Sequence, residues 1–234
     1  MTDTRSAMIL AAGRGTRLLP LTAAVPKPLI EVNGKTLIAH QLERLADAGI
    51  ERVVVNLHHL GNMLRRHLGD GSAFGLEIHY SEEPALLETA GGIVQALPLL
   101  GDAPFLLVNG DVFSDFDLSR LGSMDEGILA HLVMVPRPAW QERGDFDLDA
   151  ATTSGHRLRL DGPGTLTYAG LARYHPALFR HLEPGFRPLR PVLEAAIAAG
   201  QVSAEVHPGL WEDIGTLERL AALRAWLDQR PARG

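Results

Sequence analysis

Residues 10–28 read Leu-Ala-Ala-Gly-Arg-Gly-Thr-Arg-Leu-Leu-Pro-Leu-Thr-Ala-Ala-Val-Pro-Lys-Pro, and they bring together groups suited to holding a polyphosphate. Gly13 and Gly15 leave backbone N–H groups bare and let a ligand approach the main chain, which suits phosphate oxygens. Arg17 offers a planar fork for two phosphate oxygens, and Lys27 a compact point charge. Pro26 and Pro28 stiffen the chain on either side of that lysine. Two other phosphate motifs fail here. A dinucleotide turn needs G-x-G-x-x-G, but Leu18 holds the third glycine's place. Gly34-Lys35-Thr36 ends like a P-loop, yet Leu29 stands where its first glycine belongs. Asn33-Gly34 reads instead as a two-residue hairpin turn between Leu29–Val32 and Thr36–Ile38.

Two acids are candidates for a metal. Asp111 ends Asn109-Gly110-Asp111 after the apolar run Phe105–Val108, so a strand would present its carboxylate at the mouth of a sheet; Asn-Gly-Asp is also ordinary turn chemistry. Asp213 lies in Trp211-Glu212-Asp213-Ile214-Gly215-Thr216, where it either meets Asp111 or charges the start of the next helix. If the two converge, they form a hard oxygen site of the kind Mg²⁺ takes together with phosphates and waters. Such a site suits in-line attack of one phosphate oxygen on the α-phosphorus of a nucleoside triphosphate. The attacking phosphate is already anionic, so no side-chain nucleophile is needed, and positioning alone supplies on the order of 7–11 kcal/mol. Metal and cations would stabilise the developing charge. The 10 histidines include one adjacent pair, His58-His59, without HExxH spacing; neighbours on a strand end point apart, which favours packing or loop roles.

The elements that position these groups follow from the periodicity. Short apolar runs alternate with helical patterns, as in a mostly parallel sheet flanked by helices. Strands are predicted over Ala7–Ala11, Arg52–Asn56, Leu76–Tyr80, Phe105–Val108, Ile128–Val135, Leu166–Tyr174 and Val202–Val206. Helices are predicted over Leu37–Ala48, Gly61–Leu68, Thr89–Leu97 (ended by Pro98), Arg190–Ala199 and Thr216–Asp228, the last with Leu217, Leu220, Leu223 and Leu227 inward. Residues 137–164, rich in Gly, Asp and Pro, read as an inserted β region forming one wall of a cleft, and the tail 229–234 as frayed. The glycine turn and Asn109–Asp111 then stand at the carboxyl ends of two strands, where sites in such sheets collect.

The 234 residues suffice for one large α/β domain, expected here as 7–121, 122–215 and a closing helix with tail, 216–234, with no β-helix series. A net charge of −6 argues against a nucleic-acid surface. The absence of cysteine excludes disulfides and thiolate sites. There is no leader-like apolar stretch at the start and no run of 18 apolar residues, so no membrane partner is expected and the cytoplasm is the expected compartment. A monomer is the default expectation, a homodimer the alternative.

On residues 10–18 with Pro-Lys-Pro (26–28), Asn-Gly-Asp (109–111), Glu-Thr-Ala-Gly-Gly (88–92) and Trp-Glu-Asp-Ile-Gly-Thr (211–216), the whole chain resembles the sugar-1-phosphate nucleotidylyltransferases. The resemblance implies a Rossmann-like nucleotide-diphospho-sugar transferase fold of the glycosyltransferase-A-like type. It also implies Mg²⁺-dependent transfer of a nucleotidyl group to a sugar 1-phosphate. Within the family, Gly-Asp-Phe (144–146) and Tyr-Ala-Gly (168–170) point to UTP and N-acetylmuramic acid 1-phosphate, in peptidoglycan recycling. A mannose- or heptose-1-phosphate guanylyltransferase, or a non-catalytic nucleotide-binding subunit, stands as the alternative. Implied nucleotide contacts are Leu10, Ala11, Ala12, Gly13, Arg14, Gly15, Thr16, Arg17, Lys27, Asn109 and, for the base, Glu83, Gly91 and Gly92. Arg17 would hold the β- and γ-phosphates, Lys27 the α-phosphate, and Asp111 and Asp213 the metal. Asn109, Gly144, Asp145, Tyr168 and Gly170 would line the sugar-phosphate side. The family's Glu-Lys-Pro segment is missing between Val135 and Tyr174, and Arg143 is the nearest substitute cation.

Overall fold

The apolar run Ser6–Leu10 forms β1, near the middle of a nine-stranded sheet, in the computed structural model, which describes residues 5–152 and 155–229. Along the chain follow β2 (Glu31–Val32), β3 (Lys35–Thr36), α1 (Leu37–Asp47), β4 (Arg52–Leu57), α2 (Gly61–Leu68), β5 (Glu77–Glu82), α3 (Glu88–Leu100), β6 (Phe105–Asn109) and β7 (Val112–Ser114). The second half holds β8 (Ala130–Pro136), β9 (Asp147–Thr152), β10 (Gly155–Arg159), β11 (Leu166–Tyr174), α4 (Leu189–Ala198), β12 (Val202–Val206), β13 (Trp211–Asp213) and α5 (Leu217–Asp228). The large sheet runs β5-β4-β1-β6-β11-β8-β12-β10-β9. Its first four strands are parallel, as buried Val- and Leu-rich runs joined by helices require. Antiparallel pairing begins where β11 meets β6.

Successive side chains of a strand point to opposite faces. Ile9, Val55 and Val108 join one core under α1 and α2, while Met8, Val54 and Leu107 join a second under α3 and α4. Each such side chain, fully withdrawn from water, contributes about 1.5–3 kcal/mol. A third, smaller core gathers Leu18, Ile30, Val32, Leu37, Ile214, Leu220 and Leu223. Asn33 and Gly34, at φ 52° and 75°, make the tight turn between β2 and β3 that the sequence predicted.

Three local expectations change. Pro98 does not end α3, which continues to Leu100. Leu100 is buried and the Gly101 N–H bonds the Leu97 carbonyl, so the last turn survives the loss of one donor. Leu217 is 47% exposed, because α5 turns Leu220 and Leu223 inward instead. Within residues 137–164, β9 and β10 extend the main sheet beyond β12, and do not stand apart as a wall. The Asp147 carboxylate accepts the Gly164 and Thr165 N–H groups at 2.7 and 2.8 Å and ties that segment together. Of the tail, residues 230–234 lie outside the described residues. Among the described residues no helix is long and apolar enough to cross a membrane.

Candidate active site

The register of β1 with β6 sets Leu10 beside Asn109, so the glycine turn and the Asn-Gly-Asp turn leave the sheet side by side. The Gly110 N–H bonds the Leu10 carbonyl at 2.9 Å, and a Cβ on Gly110 would come within 2.8 Å of that oxygen. Only a residue without a side chain lets the two turns approach so closely. Gly15 adopts a left-handed φ of 62° and its carbonyl accepts the Thr22 hydroxyl at 2.8 Å, which fixes the loop carrying Thr16 and Arg17.

Lys27 is buried, and its ammonium lies 2.5 Å from Asp111 Oδ2 and 3.8 Å from Asp213 Oδ1. The two aspartates are brought together by backbone. β13 pairs antiparallel with β7, setting Asp213 opposite Val112, and the Ile214 N–H bonds the Asp111 carbonyl at 2.9 Å. Two carboxylates facing one cation form a hard oxygen donor set, and the ammonium marks where a cation sits. Among the described residues no cluster of three His, Cys, Asp or Glu offers a complete protein cage. Two carboxylates are the kind of donor set Mg²⁺ takes together with phosphates and water. Arg17 is mostly exposed, with its guanidinium 3.9 Å from Asp213 Oδ2.

The other end of the cleft is organised by a residue the sequence reading missed. Asn56, buried at the end of β4, accepts the Ala11 N–H at 2.6 Å and donates to Glu83 Oε1 at 2.7 Å. Glu83 Oε2 accepts the Leu87 N–H at 3.1 Å. One polar chain thus links the glycine turn to the segment before α3. Its signal was there to read: a lone amide after Val53-Val54-Val55 must find partners if that strand is buried. Glu83 is buried rather than solvated, and burial pushes its carboxyl above the usual range. A Cβ on Gly92 would sit 2.7 Å from Glu83 Oε1, and one on Gly91 2.2 Å from the Gly185 carbonyl oxygen. Both glycines are needed for close packing at the head of α3. Glu88, the first residue of α3 and of the Glu-Thr-Ala-Gly-Gly motif, holds a left-handed φ of 63° and lines the cleft, though the sequence reading gave it no contact of its own.

These groups enclose a cleft of about 240 Å³, whose lining includes Leu10, Ala11, Ala12, Gly13, Lys27, Asn56, Glu83, Asn109 and Asp111. Arg14, Gly15, Thr16 and Arg17 sit on the loop at its edge. On the far side, Gly170 (φ 71°) packs on the Asn109 side chain, where a Cβ would fall 2.4 Å from Nδ2. Asp145 accepts the Tyr168 N–H at 2.8 Å and pairs with Arg190 at 3.4 Å. The Tyr168 hydroxyl accepts from Tyr174, and burial raises both phenols. Gly144 is packed against the Leu166 carbonyl, and Arg143 turns its guanidinium to the Gly162 carbonyl at 2.9 Å. Neither Arg143, Gly144, Asp145 nor Tyr168 lines the cleft itself.

Beside this glycine turn, pair of converging aspartates and cleft stands a match of residues 6–126 to the nucleotidyl transferase family, and the chain belongs to that family. It is a sugar-1-phosphate nucleotidyltransferase. Over 225 residues it is 48% identical to N-acetylmuramate alpha-1-phosphate uridylyltransferase of Neisseria meningitidis serogroup B, spanning 94% of this chain and 96% of that one. It is 33% identical to the enzyme of the same name from Caulobacter vibrioides over 243 residues, again 94% and 96% of the two chains. A crystal structure of UDP-glucose pyrophosphorylase with UDP-glucose shares its fold at a TM-score of 0.81 and 18% identity, covering 97% of this chain and 100% of that one.

Proposed function

We propose that the protein transfers UMP from UTP to N-acetylmuramic acid 1-phosphate, releasing pyrophosphate, as a cytoplasmic step of peptidoglycan recycling, with residues 7–121, 122–215 and 216–234 acting as one catalytic unit. The observation that carries the catalytic part is the convergence of Asp111 and Asp213 on the Lys27 ammonium at the mouth of the cleft. The choice of uracil and of this sugar is supported by the 48% identity across nearly the whole chain.

In this reading the sugar-phosphate oxygen attacks the α-phosphorus, the bond to the bridging oxygen of the β-phosphate breaks, and that oxygen leaves with pyrophosphate. The backbone of Leu10 to Gly15 holds the nucleotide phosphates, Arg17 the β- and γ-phosphates, and Lys27 the α-phosphate. Glu83, with Gly91 and Gly92, reads the base. Asn109, Gly144, Asp145, Tyr168 and Gly170 shape the sugar side, with Arg143 a cation at its margin. Asp111 and Asp213 would hold Mg²⁺, which supplies neutralisation of charge on the reacting phosphates. The protein's own contribution is alignment of two anions that repel each other in water.

The test is pyrophosphate release with UTP, GTP, ATP and dTTP, each against muramic, glucosamine, glucose, mannose and heptose 1-phosphates. UTP with N-acetylmuramic acid 1-phosphate should give the highest kcat/KM. A preference for GTP with mannose or heptose 1-phosphate would overturn the substrate assignment. Nucleotide binding without pyrophosphate release from any pair would mark a regulatory subunit.

A further inference from the structure

Arg219, a residue given no role above, sits on the first turn of α5. Its N–H bonds the Thr216 side chain at 3.3 Å, its Nη1 lies 3.3 Å from Asp213 Oδ2, and its guanidinium carbon stands 4.1 Å from the centre of the Trp140 ring. Its side chain is only 15% exposed. Gly215 lies beneath it, and a Cβ there would fall 2.6 Å from Arg219 Nη2 and 3.0 Å from Arg17 Nη1. Two guanidiniums therefore adjoin over one glycine, and both face the same carboxylate oxygen, Asp213 Oδ2, at 3.3 and 3.9 Å.

Like charges so close together need an anion between them. Asp213 is that anion here. Its oxygens are also the ones assigned above to a divalent ion, and once they are so engaged the guanidinium pair requires another negative group. The β,γ end of a nucleoside triphosphate supplies it, with oxygens that match two guanidinium forks. Trp140 holds one of those forks by a cation–π contact, so Arg219 is kept in place rather than ordered on binding.

We propose that Arg219 is a second arginine for the triphosphate tail, sharing the β- and γ-phosphates with Arg17 and held ready by Trp140. The inference rests on the nucleotidylyltransferase reading and adds a residue to it. It is tested by calorimetric titration of the full chain with UTP and with UMP, in Mg²⁺ and without sugar phosphate. Arg219→Gln should weaken UTP about tenfold or more and leave UMP within about twofold. Arg219→Lys, which keeps the charge but not the fork, should recover part of the loss, and Trp140→Ala should weaken UTP in the same direction but less. Equal loss for UTP and UMP would overturn the proposal, as would unchanged UTP affinity. Failure of the unaltered protein to bind UTP would sink the underlying reading as well; a normal Arg219→Gln variant beside an active wild type sinks this inference alone.

Discussion

Each charged residue of the cleft is placed by a specific neighbour, so single changes have distinct signatures. Asp111 shares its charge with Lys27 at 2.5 Å and is one third exposed. Asp111→Asn keeps the shape and removes the charge, so kcat should fall on the order of a hundredfold or more while the melting temperature holds. Near-normal turnover in excess Mg²⁺ would take Asp111 out of the metal site. Glu83 is governed by burial, which raises its pKa above the unfolded value. The folded state then binds the extra proton, so this acid's contribution to stability is full below the unfolded pKa and is lost as pH rises through the folded one. Urea denaturation from acid to neutral pH should show the wild type losing stability relative to Glu83→Gln across that interval. Parallel curves would show that Glu83 does not titrate there.

At the scale of elements, the head of α3 is held by the segment before α4. The Arg187 carbonyl accepts the Ala90 and Gly91 N–H groups at 3.1 and 3.2 Å, and the Gly185 carbonyl fills the space a side chain at 91 would need. Gly91→Ala should cost about 1–3 kcal/mol in urea denaturation, because the obstacle is backbone and cannot rotate away. An unchanged midpoint would mean the segment moves freely. Most elements could be read from the chain: the span Leu166–Tyr174, the span Val202–Val206 and the Asn33-Gly34 turn all follow from apolar period and turn chemistry. Residues 137–164 could not be read so well, because β10 joins the sheet through β12, whose partners no local pattern names. The extension of α3 past Pro98 was hidden for the same reason, since it depends on the burial of Leu100.

Across the whole molecule, the site hangs on the smallest of the three cores. Leu18 next to Arg17, Leu37 at the start of α1, and Ile214 next to Asp213 pack with Leu220 and Leu223 of α5. Ile214 has no exposed surface. Ile214→Ala should therefore cost about 2–5 kcal/mol in urea and also raise the KM for UTP, whereas a purely local cavity would leave the KM alone. The glycine turn, Lys27 and both aspartates were legible as residues. Their meeting was legible only in part, because it depends on pairing between strands far apart in sequence. Asn56 and Arg219 escaped because their partners lie on other elements.

The ribbon of β7 and β13 has a consequence for the newly made protein. Asp111 is synthesised long before its counterpart, and the ribosome delivers domains from the amino end. A nascent chain released as far as β12 has its glycine turn and first aspartate but not the strand that completes the pair. Under the proposed function, a chain truncated after β12 keeps the large sheet but lacks Asp213 and the strand that sets it beside Asp111, and it is expected to release no pyrophosphate.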